Sequence, residues 1–227
     1  MCHFWNRWQM DPTNSLAFDS AQFQGRWTDY YQAVAGQPPR ETLVTALDCF
    51  AAESTPSTRA KAGFAVDLGC GNGRDTVELL RRKWHVLAID GEPEAIAYLR
   101  QNPHINRTYL ETRVQRFENL TLPPEVDLIN ASFSLPFCPV ESFSDLWEVI
   151  VTALKPGGRF CGQLFGNRDS WTVYSNVNYH TREQVEQLFN GFEFNFFDEE
   201  EHPGKTALGE EKHWHIFQIV ARKKISS

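Results

Sequence analysis

The chain has 227 residues, 41% hydrophobic and 22% charged, with a formal net charge of −7. That composition excludes a disordered chain and allows one substantial core, the acidic balance disfavours a broad basic face for duplex nucleic acid, and no apolar run reaches the roughly 18 residues of a membrane span. The five cysteines (Cys2, Cys49, Cys70, Cys138, Cys161) are odd in number, far apart and without a CxxC pair, which argues against a disulfide framework and a thiolate zinc site and points to reduced thiols in the cytoplasm.

Residues 1–25 read as an N-terminal extension, rich in aromatics but without the basic and apolar regions of a signal peptide; residues 26–227 read as one domain. "RWTDYYQAV" reads as a short helix, broken by Pro38 and Pro39. "ETLVTALDCFAA", residues 41–52, places Leu43, Val44, Leu47 and Phe50 at helical spacing, and "ESTPSTRAKA" is a polar loop. Strand and helix then alternate. "GFAVDLG" is a buried strand, and "RDTVELLRRK" a helix whose basic end suits the C-terminal dipole. "HVLAID" is a second strand, and "EPEAIAYLRQN" a helix with Pro93 in its first turn. "TYLETRV" and "VDLINASF" are the third and fourth strands. "VESFSDLWEVIVTAL" is a helix stopped at "KPGG", and "RFCGQLFG" is the fifth strand. "TREQVEQLFN" is a helix capped by Thr181. "FEFNFFDEEE" and "HWHIFQIVARK" are two successive strands, an antiparallel pair, with the acidic run itself read as a solvated loop. This order predicts an α/β, doubly wound, mostly parallel sheet with helices on both faces.

"VDLGCGNGRD" follows the first strand directly. Three glycines are more than a simple turn demands, which points to a ligand close to the backbone. The spacing G-x-G-x-G misses the dinucleotide fingerprint by one position, and no P-loop lysine follows. Asp67 would repel a phosphate and attract a cation. Asp90, at the end of the second strand, suits a ribose-binding acid. Together they fit an adenosine-type ligand with a cationic tail, S-adenosylmethionine. Arg74 either binds the ligand's carboxylate or sits solvated on its helix. Cys70 reads as a small packing residue, having no partner that would activate it.

On "VDLGCGNGRD", "VLAID", "DLINASFSLPF" and "LKPGG" the chain resembles the class I S-adenosylmethionine-dependent methyltransferases over roughly residues 27–224. "GNGRD", the compact size and "VARKK" are most similar to the tellurite-resistance group and related small-molecule enzymes. The resemblance implies a Rossmann-like, seven-stranded sheet with an antiparallel last strand. It implies Asp67 near the methionine ammonium, Gly69, Cys70 and Gly71 beneath the ribose and methionine, and Asp90 on the ribose hydroxyls with Gly91 near the adenine. Arg116 stands where many members have an acid, beside the adenine-facing amide of Phe117, with Glu118 as a substitute acid. Ala131 and Ser132 join the cofactor set. "NASF" replaces the Asn-Pro-Pro-aromatic motif of many base-modifying enzymes, which speaks against a nucleic-acid substrate.

Trp27, Tyr30, Tyr31 and Phe133 are read as lid or substrate contacts, the first three equally as a helix packed on the sheet. His213 and His215 share one strand face. They are read as packing groups, as a metal pair, or, if the last strand is antiparallel, as substrate-facing bases, with His180 as a further candidate. No metal site is assigned. The expected reaction is methyl transfer to a small molecule by in-line displacement, leaving S-adenosylhomocysteine. With no dedicated base visible, a soft or ionised acceptor such as a thiol or chalcogen anion is expected. The alternatives are O- or N-methylation with a C-terminal-strand histidine as base, or a non-catalytic cofactor-binding module.

Overall fold

Apolar runs bounded by glycine and by helical periods arrange themselves into one sheet with helices on both sides. The computed structural model describes residues 20–53, 63–103 and 105–225. Most of the expected N-terminal extension and of the loop after residue 53 lies outside the described residues. Helix α1 (Ser20–Ala33) straddles the expected domain boundary and leads to α2 (Glu41–Glu53). Strand β1 (Phe64–Leu68), α3 (Arg74–Arg81), β2 (His85–Asp90), α4 (Pro93–Gln101), β3 (Leu110–Val114) and β4 (Val126–Ala131) follow in strict alternation, except that no α-helix separates β3 from β4. Helix α5 (Phe143–Ala153), β5 (Leu154–Gly166), the two-residue β6 (Tyr179–His180), α6 (Arg182–Leu188), β7 (Phe192–Lys205) and β8 (Glu211–Lys223) complete the chain.

The sheet order is β3-β2-β1-β4-β5-β8-β7, with β6 paired to β5 beside this path. The strands from β3 to β5 run parallel, and β8 lies antiparallel between β5 and β7. The path thus holds the seven expected strands with the last one antiparallel, and β6 is an eighth, minor strand. The reversal of strand order on either side of β1 opens a crevice at the carboxyl ends of β1 and β4, the place where such sheets hold ligands.

Alternate residues of β1 serve opposite layers. Val66 and Leu68 join Leu146, Trp147 and Ile150 of α5, whereas Ala65 joins Leu43 and Leu47 of α2 and Leu79 of α3. Trp147 anchors the first layer, 5.3 Å from Phe160 and 4.8 Å from Phe189 between ring centroids. Each such side chain contributes about 1.5–3 kcal/mol by burial. Thr181 caps α6 in a full capping box with Gln184.

Two stretches differ from expectation. "KPGG" is not a free turn. It is a bulge inside β5, where the register jumps from Val126↔Leu154 to Leu128↔Arg159. The acidic run 198–201 is not a loop. It lies in β7, paired with residues 215–218 of β8. Strand structure persists there because the charges are neutralised: Glu199 meets Arg168 and Arg182 at 3.0 Å each, and Glu201 meets Arg168 at 2.7 Å.

Candidate active site

The loop after β1 carries the geometry of the site. Gly69, Gly71 and Gly73 have φ of +68°, +54° and +91°, a region that L side chains rarely enter. All three glycines are therefore needed for the turn alone, which corrects the reading that one would suffice. At Gly69 a Cβ would also stand 2.4 Å from Ser134 Cβ. The Gly69 and Cys70 amides donate to Ile89 O at 2.8 and 3.0 Å, which ties the loop to β2.

Asp90 sits at the end of β2. Its Oδ2 accepts from the Gly71 amide at 2.8 Å and its Oδ1 from the Glu92 amide at 2.9 Å. Asp67 is buried on the α3 side of β1, where it accepts from Thr76 Oγ1 at 2.5 Å and Asn130 Nδ2 at 2.8 Å. The same amide nitrogen of Asn130 donates to Asp75 Oδ2 at 3.1 Å. Burial, with the Asp75 carboxylate beside it, pushes the Asp67 carboxyl up from 3.8 to about 7. Burial also raises Asp90 above the usual carboxylate range and Cys70 well above a usual thiol. A thiol so raised is not a nucleophile at neutral pH.

These groups border one crevice of about 650 Å³, a size typical of small-molecule sites. Gly69, Cys70, Gly71, Asp67, Asp90 and Gly91 line one end of it, together with Arg116, Phe117 and Glu118 after β3. Ser132 and Phe133 enter from the end of β4. Ala131 does not: it is the last β4 residue inside the sheet, paired with Gly162. Trp27, Tyr30 and Tyr31 border the crevice from α1, and the Asn72 side chain ties that helix down by donating to Tyr31 O at 2.9 Å. Burial raises the Tyr31 phenol above its ordinary value.

The two arginines at this edge differ. Arg74 spends its Nε on Pro38 O at 2.5 Å. Arg40 places its guanidinium 4.4 Å from the centroid of the Phe133 ring, inside the crevice, with no carboxylate partner among the described residues. Sequence reasoning missed Arg40 because it opens a helix far from the glycine loop. It missed Asp75 and Asn130 because their meeting depends on β1 pairing with β4.

The two histidines read as bases do not line the crevice. Side chains alternate along β8, so Trp214, Ile216 and Gln218 face the crevice while His213 and His215 face away. His215 is fully buried against Gly166, where a Cβ would stand 2.0 Å from its Nδ1. Its Nδ1 accepts from the Arg168 amide at 3.0 Å and its Nε2 lies 2.9 Å from Glu199. His213 pairs with Glu201 at 3.0 Å. The antiparallel hairpin was expected, but its register decides the face, and the charged or titratable residues that line the crevice from its strands are Glu200, His202 and Lys205 of β7. His180, on β6, packs 4.8 Å from the Phe143 ring and lies outside the crevice, its pKa lowered by burial to about 4.

A profile of the methyltransferase domain matches residues 65–158. The chain is 35% identical over 104 residues to the probable cobalt-precorrin-6B C(15)-methyltransferase (decarboxylating) of Methanothermobacter thermautotrophicus, covering 44% of this chain and 50% of that one. The chain thus spans about half the length of this curated relative. Among solved structures it is similar to TehB from Haemophilus influenzae (TM-score 0.64, 17% identity, 79% of this chain and 61% of that one). It is also similar to the Burkholderia thailandensis 1,6-didemethyltoxoflavin-N1-methyltransferase with bound 1,6-didemethyltoxoflavin and S-adenosylhomocysteine (TM-score 0.60, 18% identity, 96% and 92% covered). At these identities the structural likenesses speak for the fold, which is the one the topology shows. The match over the glycine loop and the four strands around it marks residues 65–158 as a methyltransferase domain.

Proposed function

We propose that the protein transfers a methyl group from S-adenosylmethionine to a small-molecule acceptor. The observation that carries this reading is the pair Asp67 and Asp90 on either side of a glycine loop whose backbone borders the crevice. The cofactor supplies a methyl group on a cationic sulfur that leaves as a neutral thioether. Asp67 would face its ammonium, Asp90 its ribose hydroxyls, and the Phe117 amide with Glu118 its adenine. Arg40, not the engaged Arg74, would take its carboxylate. The chain's contribution to rate is alignment of the two reactants in the crevice, an effect that reaches ~7–11 kcal/mol in well-oriented reactions. The soft anionic acceptor expected from the sequence, a thiolate or chalcogen anion, needs no proton removed before transfer, and it is one acceptor class for this crevice beside an O–H or N–H acceptor that needs a base. The small-molecule class agrees with the relatives' named substrates and with a net charge of −7 that offers nucleic acid little. A cytoplasmic location is part of this proposal and rests on the scattered, odd-numbered cysteines of the sequence; among the described residues no helix is long and apolar enough to cross a membrane.

The test is titration calorimetry with S-adenosylhomocysteine on the full chain, followed by labelled cofactor and a metabolite extract. Micromolar or tighter binding and a labelled small molecule are expected. Absence of binding to folded protein would remove the reading, and binding without any labelled product would leave a cofactor-binding module.

The raised Asp67 carboxyl gives a further expectation. It stays protonated in the fold while its unfolded counterpart ionises, so the unliganded fold loses stability as pH rises from about 4 to about 7, and no more beyond. An ammonium ligand selects the ionised form, so cofactor affinity rises with pH up to about 7 and levels off above it. Melting and calorimetry across pH should show both trends in the natural chain. In Asp67→Asn this component of each should vanish, and a variant with an unchanged pH profile would exclude Asp67 as the titrating group.

A further inference from the structure

The far end of the crevice combines a rigid aromatic wall with a carboxylate and an imidazole. Phe133, Phe137, Trp171 and Trp214 are half-buried and line the crevice. They contact one another or the buried Phe165 at centroid distances of 5.9–6.3 Å. Behind them lies the fully buried Lys212. Its Nζ is 4.8, 4.1 and 4.4 Å from the Phe165, Trp171 and Trp214 rings and is ion-paired to Asp169. A cation held against three rings fixes their arrangement. The wall is therefore preorganised rather than collapsible, and it presents flat apolar surface to whatever occupies the crevice.

The hairpin closes this end with Glu200 and His202. Glu200 Oε1 accepts from Gln218 Nε2 at 2.9 Å, and Gln218 Oε1 in turn accepts from Gln163 at 2.9 Å. Glu200 Oε2 lies 3.7 Å from His202 Nε2, and His202 Nδ1 lies 3.2 Å from Pro203 O. That carbonyl can only accept, which assigns the ring proton to Nδ1 and leaves the Nε2 lone pair beside Glu200. A gap of 3.7 Å exceeds a direct hydrogen bond. The other charged groups bordering this end are Arg40, whose guanidinium lies 4.4 Å from the Phe133 ring centroid, Lys205, paired to Glu211 at 3.2 Å, and Glu210.

Resting on the methyl-transfer reading above, we infer that the acceptor is a planar conjugated ring carrying an acidic O–H or N–H, stacked on the aromatic wall, and that His202 takes its proton with Glu200 stabilising the resulting imidazolium. The fixed carboxylate of Glu200 opposes an acceptor that arrives as an anion, which separates this acceptor from a thiolate or chalcogen anion. The proton passes from the acceptor oxygen or nitrogen to His202 Nε2. The acceptor's lone pair forms the bond to the methyl carbon, and the electron pair of the broken carbon–sulfur bond stays on sulfur. His202 then returns the proton to solvent, so charge and atoms balance.

The test uses 4-nitrophenol, whose ionised form absorbs in the visible, added to the full chain saturated with S-adenosylhomocysteine so that no turnover occurs. Saturable binding is expected, with the phenolate band present at a pH where the free probe is mostly protonated. His202→Asn should bind the probe and S-adenosylhomocysteine but lose the band. Trp214→Ala should weaken the probe by about tenfold, the upper range for one aromatic contact, with S-adenosylhomocysteine affinity unchanged. No saturable probe binding, or an undiminished phenolate band in His202→Asn, overturns the inference while leaving the proposed function standing. Failure of S-adenosylhomocysteine to bind the natural chain removes that function itself.

Discussion

Asp90→Ala should weaken S-adenosylhomocysteine binding by roughly 100- to 1,000-fold, since hydrogen bonds to a charged group contribute about 1.5–3 kcal/mol each and two are lost, partly replaced by water. The carboxylate has a double task. Each of its oxygens already accepts one backbone amide, Gly71 at 2.8 Å and Glu92 at 2.9 Å, and each retains a lone pair for a ribose hydroxyl. Asp90→Ala therefore also leaves two amides without acceptors, and a fall in melting temperature accompanies the loss of affinity. Asp90→Asn separates the two effects. It keeps one carbonyl acceptor and similar volume, so the turn survives better than the ribose contact, and affinity should fall by about tenfold, one charge-assisted bond's worth. Calorimetry and melting on both variants decide the matter. If Asp90→Ala melts lower but binds S-adenosylhomocysteine as well as the natural chain does, Asp90 is only a turn acid that braces the glycine loop.

The same residue illustrates what was legible before any coordinates. Asp90 and Asp67 announce themselves because one ends an apolar strand and the other stands one residue before the end of its own, and strand ends of a parallel sheet meet at one edge by topology alone. Local sequence also suffices for the α6 capping box and for the alternation of β1 through α4. Legibility fails where a contact depends on register between segments far apart in the chain. The sequence places His213 and His215 on one face of β8, but which face meets the crevice depends on how β8 pairs with both β5 and β7. A shift of one residue would have exchanged them for Trp214 and Ile216. His202 shows the same limit. It lies beyond an acidic run that reads as a solvated loop, and only the ion pairs of Glu199 and Glu201 with Arg168 and Arg182 explain why the strand continues through it. Arg40 is a third instance. Its neighbours Asp75 and Phe133 are 35 and 93 residues away in sequence, and nothing in "GQPPRE" points to them.

Lys212 and Asp169 were invisible for the same reason, and they support the second large effect. Their side chains are fully buried, and a buried ion pair by itself contributes little net stability. Breaking it is another matter. Asp169→Ala strands the Lys212 ammonium among rings and also removes the acceptor of two backbone amides, Trp171 at 2.9 Å and His215 at 3.1 Å. Its expected cost is about 3–5 kcal/mol, on the order of a 10 °C fall in melting temperature for a chain of this size. Lys212→Met is gentler, because Asp169 keeps both amides and methionine fills most of the space, leaving a carboxylate that is hydrogen-bonded though no longer paired. The double variant Asp169→Ala/Lys212→Met should melt above Asp169→Ala alone, since removing the stranded charge relieves the larger part of the penalty. Additive losses in the double-mutant cycle would show that the two charges do not act as a unit. A functional readout runs in parallel. The pair lies behind the Phe165, Trp171 and Trp214 rings and outside the cofactor end. Lys212→Met should therefore leave S-adenosylhomocysteine affinity unchanged while weakening any ring-shaped ligand at the aromatic wall. Equal weakening of both ligands would mean that the pair supports the fold generally and not that wall.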